Sequence, residues 1–317
     1  MDNPEVTVCI ATFNHAQYIA RCLDSVIMQL LPGRIEVLVG DDCSTDDTRA
    51  IVTTYSQAFP DIVAPVFHQK QLGPSGNYRA LIAAARGRYI AHLDGDDYWL
   101  PGKLTRQIAA LDRSPSTPAV VANALVVDAN DRPLGFFTSN RNRSIDLNYL
   151  LERGNFLCHG SLLYRAKLRE AILEIEGTFI DYMILIKLAR MGNLEFLREV
   201  LVVYRWNTAG SMRTTMTLLV GVNYWQAMLE ALKLGATASA FHKSTARFLE
   251  KVFARSLLHG RIDVIIEWIR RVNRESPVST KSAVTMALIR IPLSLARYLY
   301  RKAGTRLFRR ISVLYPR

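Results

Sequence analysis

The stretch GRYIAHLDGDDYWLPGKLTRQ, residues 87–107, decides the fold. Its first half, Tyr89 to Leu93, is apolar enough to predict a short buried strand. An apolar-periodic run from Leu104 then predicts a helix. Between strand and helix stand three carboxylates, Asp94, Asp96 and Asp97. The sequence thus places three like charges at the end of a core strand.

Three acids within four residues repel one another and lose hydration at such a position. A hard cation such as Mg²⁺ or Mn²⁺ would compensate them, because it takes oxygen ligands from one or two carboxylates and from substrate phosphates. Gly95, which has no Cβ, would let backbone and ligand approach closely. An acidic surface turn is the alternative, since Asp and Gly both favour turns.

Composition limits the class of protein. The chain has 317 residues, 50% of them hydrophobic, and a mean hydropathy of +0.08, which predicts a folded chain of one large or two ordinary domains. Its four cysteines lack metal-ligand spacing, and its N-terminal run lacks a basic leader. Both features predict a reduced, cytoplasmic protein without a signal peptide.

The net charge of +12 is unevenly distributed. Residues 241–317 contain 17 Lys and Arg against 4 Asp and Glu, whereas residues 1–240 contain 23 against 24. The basic C-terminal segment indicates an acidic partner surface. Nucleic acid is disfavoured as that partner, because the segment lacks a recognisable reading motif and the rest of the chain is neutral.

Strand and helix patterns alternate along the first third of the chain, which predicts an α/β, doubly wound, mostly parallel sheet with helices on both faces. The predicted strands are 5–11, 35–40, 63–68 and 89–93, and the predicted helices are 18–27, 48–59 and 77–85. Ligands of such sheets bind beyond the carboxyl ends of the strands. Three polar clusters follow predicted strands and should line one crevice: Thr12 to Asn14, Asp41-Asp42, and Asp94 to Asp97.

The acids after the second strand divide into two groups. Ser44 with Asp47 three residues later is typical of a capping box, and Asp46 also favours the helix dipole. Asp42 stands at the strand end itself, where a carboxylate can accept a hydrogen bond from the N–H edge of a nucleobase. We therefore assign the first three residues to capping and Asp42 to ligand binding.

The segments VTVCIATFN, EVLVGDDCSTDDT and GRYIAHLDGDDYW resemble the successive motifs of family 2 glycosyltransferases, in the same order and spacing. The resemblance covers residues 1–110 well and extends loosely to residue 212. It implies a GT-A nucleotide-sugar-binding fold. It also implies an inverting transfer of a sugar from a nucleoside diphosphate sugar to an acceptor hydroxyl.

Carried over to this sequence, the resemblance implies that Asp42 holds the base, Asp94 lies near the ribose or sugar, and Asp96 binds a Mg²⁺ or Mn²⁺ ion. The residues expected to line the nucleotide pocket are Ala11, Phe13 and Asn14. Ala11 stands where the family usually has Pro, and Phe13 replaces a common Tyr. These departures leave the donor base open.

An inverting transfer also needs a carboxylate that takes the proton of the attacking hydroxyl. Asp181, in FIDYMILIKLARMG, resembles the family's acid that opens a helix and acts as this base, although Ile180 replaces the usual Glu. Capping of the helix is the alternative.

Tyr204-Arg205, followed by Asn207 and Ser211, resembles a further family segment. Arg205 would pair with phosphate oxygens through its planar fork, a surface ion pair being the alternative. His159, between two apolar runs, contacts donor or acceptor, or is a structural histidine.

The chain is expected to divide into a glycosyltransferase domain, residues 1–215, and a helical extension, residues 216–317. Within the first, residues 1–112 would form the nucleotide-binding half and 113–215 the acceptor half, with a strand at 119–127 and a mobile loop at 132–143. The extension shows helical patterns at 218–234, 239–258 and 264–272.

The last helical run places apolar side chains on one side and arginines on the other, at about 100° per residue. The apolar residues are Leu288, Ile291, Pro292, Leu295 and Leu299, and the basic ones are Arg290, Arg297 and Arg301. The run is too interrupted to span a bilayer and predicts a helix lying on an anionic membrane surface at the cytoplasmic face. Packing on its own protein is the alternative.

Together these observations predict a transferase that uses a saccharide or lipid-linked saccharide acceptor in cell-surface polysaccharide biosynthesis. Two alternatives remain at this point. One is transfer onto a polyprenyl phosphate, and the other is a non-catalytic nucleotide-sugar-binding protein.

Overall fold

A computed structural model describes residues 3–29, 31, 33–206, 217–307 and 312–315. The chain forms two compact units. The first consists of Met1–Asp146, Phe156–Tyr224 and Ile311–Arg317, and the second of Leu147–Asn155 and Trp225–Arg310. Both units therefore draw on segments that are distant in sequence.

The first unit contains a mixed sheet. Its strands in the described residues are β1 (Val6–Thr12), β2 (Ile35–Asp41), β3 (Val63–Phe67), β4 (Tyr89–Asp94), β5 (Tyr98–Trp99), β6 (Ala119–Val127), β7 (Pro133–Thr138), β8 (Ser144–Ile145), β9 (Leu163–Arg165), β10 (Leu194–Arg205) and β11 (Ser312–Tyr315). Their order is β11-β7-β6-β9-β4-β1-β2-β3, and β10 pairs with β5, β6 and β8.

The four N-terminal strands form the parallel half of the sheet. β1 lies between β2 and β4 and is parallel to both, and β3 is parallel to β2. β1, β2 and β4 are nearly continuous apolar runs and are buried along most of their length, as expected when helices cover both faces of a parallel sheet, whereas only Val63 is buried on the edge strand β3. The predicted α/β doubly wound sheet is confirmed.

Helices connect the strands and continue through the C-terminal part of the chain. Those in the described residues are α1 (Ile19–Ile27), α2 (Thr48–Ala58), α3 (Gly73–Ala84), α4 (Lys103–Arg113), α5 (Leu147–Arg153), α6 (Glu170–Leu173), α7 (Asp181–Arg190), α8 (Thr217–Lys233), α9 (Ala238–Leu258), α10 (Ile262–Glu275) and α11 (Thr280–Leu307). None of the described helices is long and apolar enough to cross a membrane.

Two predictions about elements were wrong. The segment 132–143, predicted as a mobile loop, contains β7, which pairs antiparallel with β6. Phe137 is buried on this strand, and its polar surroundings in the sequence concealed it. Helix α3 begins at Gly73, four residues before the predicted start, because Pro74 lies in the first turn, where its missing N–H is not needed.

The second unit has its own aromatic core. The rings of Trp225 and Phe241 lie 5.7 Å apart between centroids, and those of Phe248 and Trp268 lie 4.7 Å apart. The Trp225 indole donates a 2.8 Å hydrogen bond to Glu275, which satisfies the only polar atom of that buried side chain. This packing supports an independent core for the unit.

Candidate active site

The structure brings the three strand-end clusters to one edge of the sheet. Thr12 pairs with Asp41 across β1 and β2, and Ala11 pairs with Asp94 across β1 and β4. The ends of β2 and β4 are therefore two strand spacings apart, about 10 Å. Asp42 and the turn after β4 thus flank the same strand end.

The residues after β1 connect it to the loop after β2. The side-chain oxygen of Asn14 accepts the Thr45 N–H at 2.8 Å, and the Asn14 N–H donates to the Ser44 hydroxyl at 2.8 Å. Asn14 has a positive φ of 55°, which asparagine tolerates better than most residues. Just before Asn14 in the chain, Phe13 is 39% exposed and Ala11 is partly buried. The expected pocket-lining residues are therefore neighbours at this edge.

Asp42 anchors the start of α3. Its two carboxylate oxygens accept the N–H groups of Leu72 and Gly73 at 2.6 and 3.0 Å, and the residue is only 7% exposed. These groups belong to the helix N-terminus, which attracts anions. A carboxylate has about four lone-pair positions, so it retains acceptor capacity beyond these two bonds.

The predicted capping box of Ser44 and Asp47 was wrong. Asp46 accepts the Thr48 N–H at 3.0 Å through one oxygen and the Ala16 N–H at 3.0 Å through the other. Asp47 occupies the N-cap position without a side-chain capping bond. Ser44 is instead directed to Asn14, because the loop after β1 comes within its reach in the folded chain.

His92 holds the carboxylate of Asp94, and the sequence analysis missed it. Its Nε2 lies 3.1 Å from Asp94 Oδ1. Burial alone would raise the pKa of Asp94, but the charge and hydrogen bond of His92 lower it to about 2. One signal was available: residues two apart on a strand share a face, and His92 is a polar residue in an otherwise apolar strand.

Two more rings pack around His92. The ring of His159 lies 4.2 Å from that of His92, and the ring of Tyr78 lies 4.7 Å from it, edge on. Burial and the neighbouring His92 charge lower the pKa of His159 well below its ordinary value. His159 is therefore a neutral ring packed against His92, the partner of Asp94.

The turn after Asp94 is tightly closed. The Asp97 N–H donates to the Asp94 carbonyl at 3.0 Å, and the Gly95 N–H donates to the Ala11 carbonyl at 2.9 Å. A Cβ on Gly95 would lie 2.7 Å from the Thr12 hydroxyl oxygen, so the turn needs glycine at this position.

The carboxylates of the turn have different surroundings. Asp97 is only 2% exposed, and one of its oxygens accepts the Arg205 N–H at 2.7 Å. Burial and the charges of Asp96 and Asp94 raise the pKa of Asp97 well above its usual value. Asp96 is partly exposed. The three carboxylates of the turn therefore influence one another's ionisation.

These residues fit a cation held by few protein ligands. Among the described residues, no group of three or more His, Cys, Asp or Glu side chains could hold a metal ion. Asp94 and Asp97 are engaged by His92 and by the Arg205 N–H. Mg²⁺ and Mn²⁺ accept one or two protein carboxylates completed by diphosphate oxygens and water, so the carboxylates of this turn are compatible with such an ion.

Asp181 begins α7 at the same side of the sheet. The preceding Phe179 exchanges two backbone hydrogen bonds with the hydroxyl of Ser75, in the first turn of α3, at 2.9 and 3.0 Å. Asp94, Asp97 and Asp181 all contribute, after burial, to raising the pKa of the Cys158 thiol. Asp181 thus belongs to the same electrostatic neighbourhood as the turn after β4.

Arg205 ends β10 beside this turn. Its Nε donates to the Asp96 carbonyl at 2.9 Å, and its Nη2 lies 2.9 Å from Asp131 Oδ1. The residue is only 4% exposed. Asn207 and Ser211, which follow it in the expected family segment, lie outside the described residues.

Residues 7–173, just over half of the chain, match the family described as Glycosyl transferase family 2. The chain belongs to this family. An uncharacterized glycosyltransferase of Nostoc, alr2836, is 32% identical over 216 residues, which are 65% of this chain and 66% of that protein. The succinoglycan biosynthesis protein ExoO of Rhizobium meliloti is 40% identical over 137 residues, 43% of this chain and 37% of that protein. The chain thus matches less than two thirds of the length of these relatives.

Solved structures share the fold. TarS of S. aureus, in complex with UDP-GlcNAc, superimposes with a TM-score of 0.65 at 18% identity, over 94% of this chain and 92% of that one. The mannosyltransferase PcManGT of Pyrobaculum calidifontis, in complex with GDP-Man and Mn²⁺, gives a TM-score of 0.57 at 21% identity, over 96% and 84%. The fold is therefore of the GT-A glycosyltransferase type.

Proposed function

We propose that this glycosyltransferase moves a sugar, with inversion, from a nucleoside diphosphate sugar to a hydroxyl of a saccharide or lipid-linked saccharide. Cell-surface polysaccharide biosynthesis at the cytoplasmic face of the membrane is the proposed setting, and the name of the relative ExoO supports it. The single observation that carries the proposal is that β2, which leads into Asp42, and β4, which leads into Asp94 and Asp96, end on either side of the end of β1.

The donor would lie across the ends of β2, β1 and β4. Asp42 would receive the N–H edge of the base, next to Ala11, Phe13 and Asn14, and Asp94 would receive hydroxyls of the ribose or sugar. Because His92 keeps Asp94 ionised and oriented, Asp94 can accept hydrogen bonds at any physiological pH. The pocket would thus read the donor by its base at one side and its sugar at the other.

Asp96 would hold the divalent cation, and the complex of the neighbouring fold with GDP-Man and Mn²⁺ supports this assignment. A bound Mg²⁺ or Mn²⁺ would neutralise charge on the departing diphosphate. The chain itself would aim the Asp96 carboxylate, since the turn that carries it is closed by the Asp97 N–H.

Asp181 would take the proton of the acceptor hydroxyl as the bond to the anomeric carbon forms. Its Oδ1 accepts the N–H of Tyr182 at 2.9 Å, which fixes the carboxylate at the start of α7. We expect Asp181→Asn to lower kcat about 10³-fold while donor affinity stays within twofold of the wild type. Single-turnover transfer and donor titration measure the two quantities.

A donor panel tests the whole proposal. Purified protein is screened with UDP-, GDP-, CMP- and dTDP-sugars in Mg²⁺ and in Mn²⁺, and the donor that raises Tm is offered oligosaccharides, lipid-linked saccharides and polyprenyl phosphate. The proposal expects a new glycosidic bond of inverted configuration on a saccharide. If the product is a single sugar on polyprenyl phosphate, the protein is instead a polyprenyl-phosphate glycosyltransferase. If the donor binds without turnover, the protein is instead a nucleotide-sugar-binding protein.

A membrane surface is the proposed location of the acceptor. On α11, Ala283, Ala287 and Ile291 are buried within the second unit. The opposite side carries an outer stripe of exposed apolar side chains: Leu288 (53%), Ile289 (72%) and Leu293 (54%). The apolar side expected from the sequence is therefore divided, with Ile291 buried and Leu288 exposed. The side chains of Arg297, Leu299 and Arg301 lie outside the described residues.

The excess of positive charge in residues 241–317 supports an anionic bilayer as the partner of this outer stripe. The test compares the full-length protein with a variant carrying L288Q, I289Q and L293Q in sedimentation with phosphatidylglycerol and phosphatidylcholine vesicles. We expect a loss of binding to the anionic vesicles that Met28→Gln, at a 74% exposed position of the first unit, does not cause. Equal sedimentation of both variants would exclude the stripe.

A further inference from the structure

Every nitrogen of the Arg205 guanidinium group has a partner in the protein, through hydrogen bonds at Nε and Nη1 and through an ion pair at Nη2. Its Nε donates to the Asp96 carbonyl at 2.9 Å, and its Nη1 donates to the carbonyls of Asp128 and Ala129 at 3.2 and 3.4 Å. Its Nη2 forms an ion pair with Asp131 at 2.9 Å. Each nitrogen of the fork therefore has a partner within the chain.

The main chain of Arg205 binds the same turn. Its N–H donates to Asp97 Oδ1 at 2.7 Å, so one residue holds Asp96 by its carbonyl and Asp97 by its carboxylate. Strand β5, which follows immediately, pairs antiparallel with β10 through Trp99 and Val202. The turn after β4 is thus fixed to the end of β10 at consecutive positions.

A phosphate contact would compete with these bonds. The ring of Tyr18 covers one face of the guanidinium, 4.4 Å from its central carbon, and Asp131 occupies the end of the fork. Asp131 is in turn paired with Arg21 at 2.8 Å. A diphosphate could bind the Arg205 fork only by displacing a carbonyl or the Asp131 carboxylate.

We propose that Arg205 is a positioning residue that clamps the turn between Asp94 and Asp97, so that the Asp96 carboxylate is aimed at the cation, rather than a ligand of the diphosphate. The inference rests on the proposed role of Asp96. Asp97, the third acid of the turn, then has a different role, because it binds the Arg205 main chain and not the ligand. The clamp requires the planar fork of arginine, which lysine cannot reproduce.

The first experiment needs no ligand. Hydrogen exchange of the free, full-length protein is compared between wild type and Arg205→Lys. We expect the Gly95 and Asp97 amides to exchange about tenfold faster in the variant, because a charge-assisted bond that fixes their turn is lost. Unchanged exchange in residues 93–99 would overturn the clamp.

Arg165→Lys is the matched control. Arg165 also donates to three carbonyls, those of Thr117, Leu111 and Ser114, but it lies on β9 and binds the segment after α4. Its replacement should loosen that segment and leave residues 93–99 unchanged. If both variants accelerate exchange throughout the protein, the effect is loss of global stability and the clamp is rejected. Asp131→Asn, which keeps an oxygen at the far end of the fork, should act as Arg205→Lys does but more weakly, and it serves if that variant does not fold.

The second experiment titrates Mn²⁺ in the presence of UDP and, separately, GDP, with free Mn²⁺ measured by electron paramagnetic resonance. Arg205→Lys should weaken Mn²⁺ binding about tenfold while nucleotide binding in the absence of metal is unchanged. A loosened turn with wild-type Mn²⁺ affinity would reject the positioning role and leave the proposed function intact. If Mn²⁺ binds wild type and Asp96→Asn equally, the metal assignment itself fails, and the inference fails with it.

Discussion

Two acidic loops of this protein look alike in sequence and differ in the folded chain. Asp41 ends β2 and Asp42 follows it, and the three acids of residues 94–97 end or follow β4. In the first loop each acid is bound by the protein: Asp41 by Arg49 and the Ser44 N–H, and Asp42 by two helix N–H groups. In the second loop, burial concentrates like charges, and the pKa of Asp97 rises accordingly.

The comparison supports the proposal that the first loop binds a neutral base edge and the second a cation. Backbone N–H groups and an arginine bind one oxygen of Asp41 and both oxygens of Asp42, whereas Asp41 Oδ2 is buried without a hydrogen-bond partner. The first loop is therefore suited to adding a hydrogen bond to a donor. In the second loop, Arg205 donates its Nε to the Asp96 carbonyl and its main-chain N–H to one oxygen of Asp97, while the three carboxylates lie within four residues. Such a site gains most from a divalent ion.

Removing the acid assigned to the metal should have the largest effect. We expect Asp96→Asn to lower kcat/KM about 10³-fold and to abolish the increase in Tm that Mn²⁺ produces with the donor, because the carboxylate charge that binds the ion is gone. The Tm without ligand should change little. Transfer assays and calorimetry measure these quantities, and a variant with wild-type turnover would remove the distinction between the loops.

Removing the acid of the first loop should affect stability and donor binding together. Asp42→Ala eliminates two charge-assisted bonds to the start of α3, which should lower the free energy of unfolding by about 2 kcal/mol. The donor KM should rise about tenfold with the Mn²⁺ dependence of turnover unchanged. Urea unfolding and steady-state kinetics check this, and an altered metal requirement would contradict the assignment.

Lys103 is a buried titratable residue outside both loops. Lys103 is fully buried, with its Nζ 3.8 Å from the centre of the Trp99 ring. Burial lowers its pKa well below the ordinary value of the unfolded chain. The unfolded state therefore binds more protons between the two pKa values, so the free energy of unfolding rises with pH in that range.

We therefore expect Lys103→Met to be about 1 kcal/mol more stable than the wild type at pH 7, because an apolar side chain of similar length needs no charge compensation. Because the wild type gains about 1.4 kcal/mol per pH unit in this range, the difference should disappear at about pH 8 and reverse by pH 9. Thermal unfolding of both proteins over this range measures it. A pH-independent difference would show that Lys103 does not titrate there.

The smallest effect is expected at the ion pair of the first loop. The Arg49 side chain is 37% exposed, so solvent screens its attraction to Asp41. Arg49→Lys should cost less than about 1 kcal/mol and should leave Mn²⁺ binding unchanged. Urea unfolding with a Mn²⁺ titration tests both statements, and a metal effect as large as that of Arg205→Lys would make the two loops one electrostatic unit.

The sequence alone determined the parallel half of the sheet and the strand ends at which the candidate site lies. Strands β1, β2 and β4 are short apolar runs that end in polar clusters. Such a local pattern can be recognised without tertiary information. The resemblance of the three motifs to the family also came from these residues, and the family match confirms it.

Only the tertiary structure separated residues of the same type. It shows that Asp46 rather than Asp47 makes the capping bond, that His92 is the partner of Asp94, and that Arg205 binds the turn after β4. The physical reason is distance along the chain. Arg205 meets Asp96 across more than 100 residues, so its hydrogen-bond partners depend on which strands become neighbours, and no local pattern of charge or polarity records that.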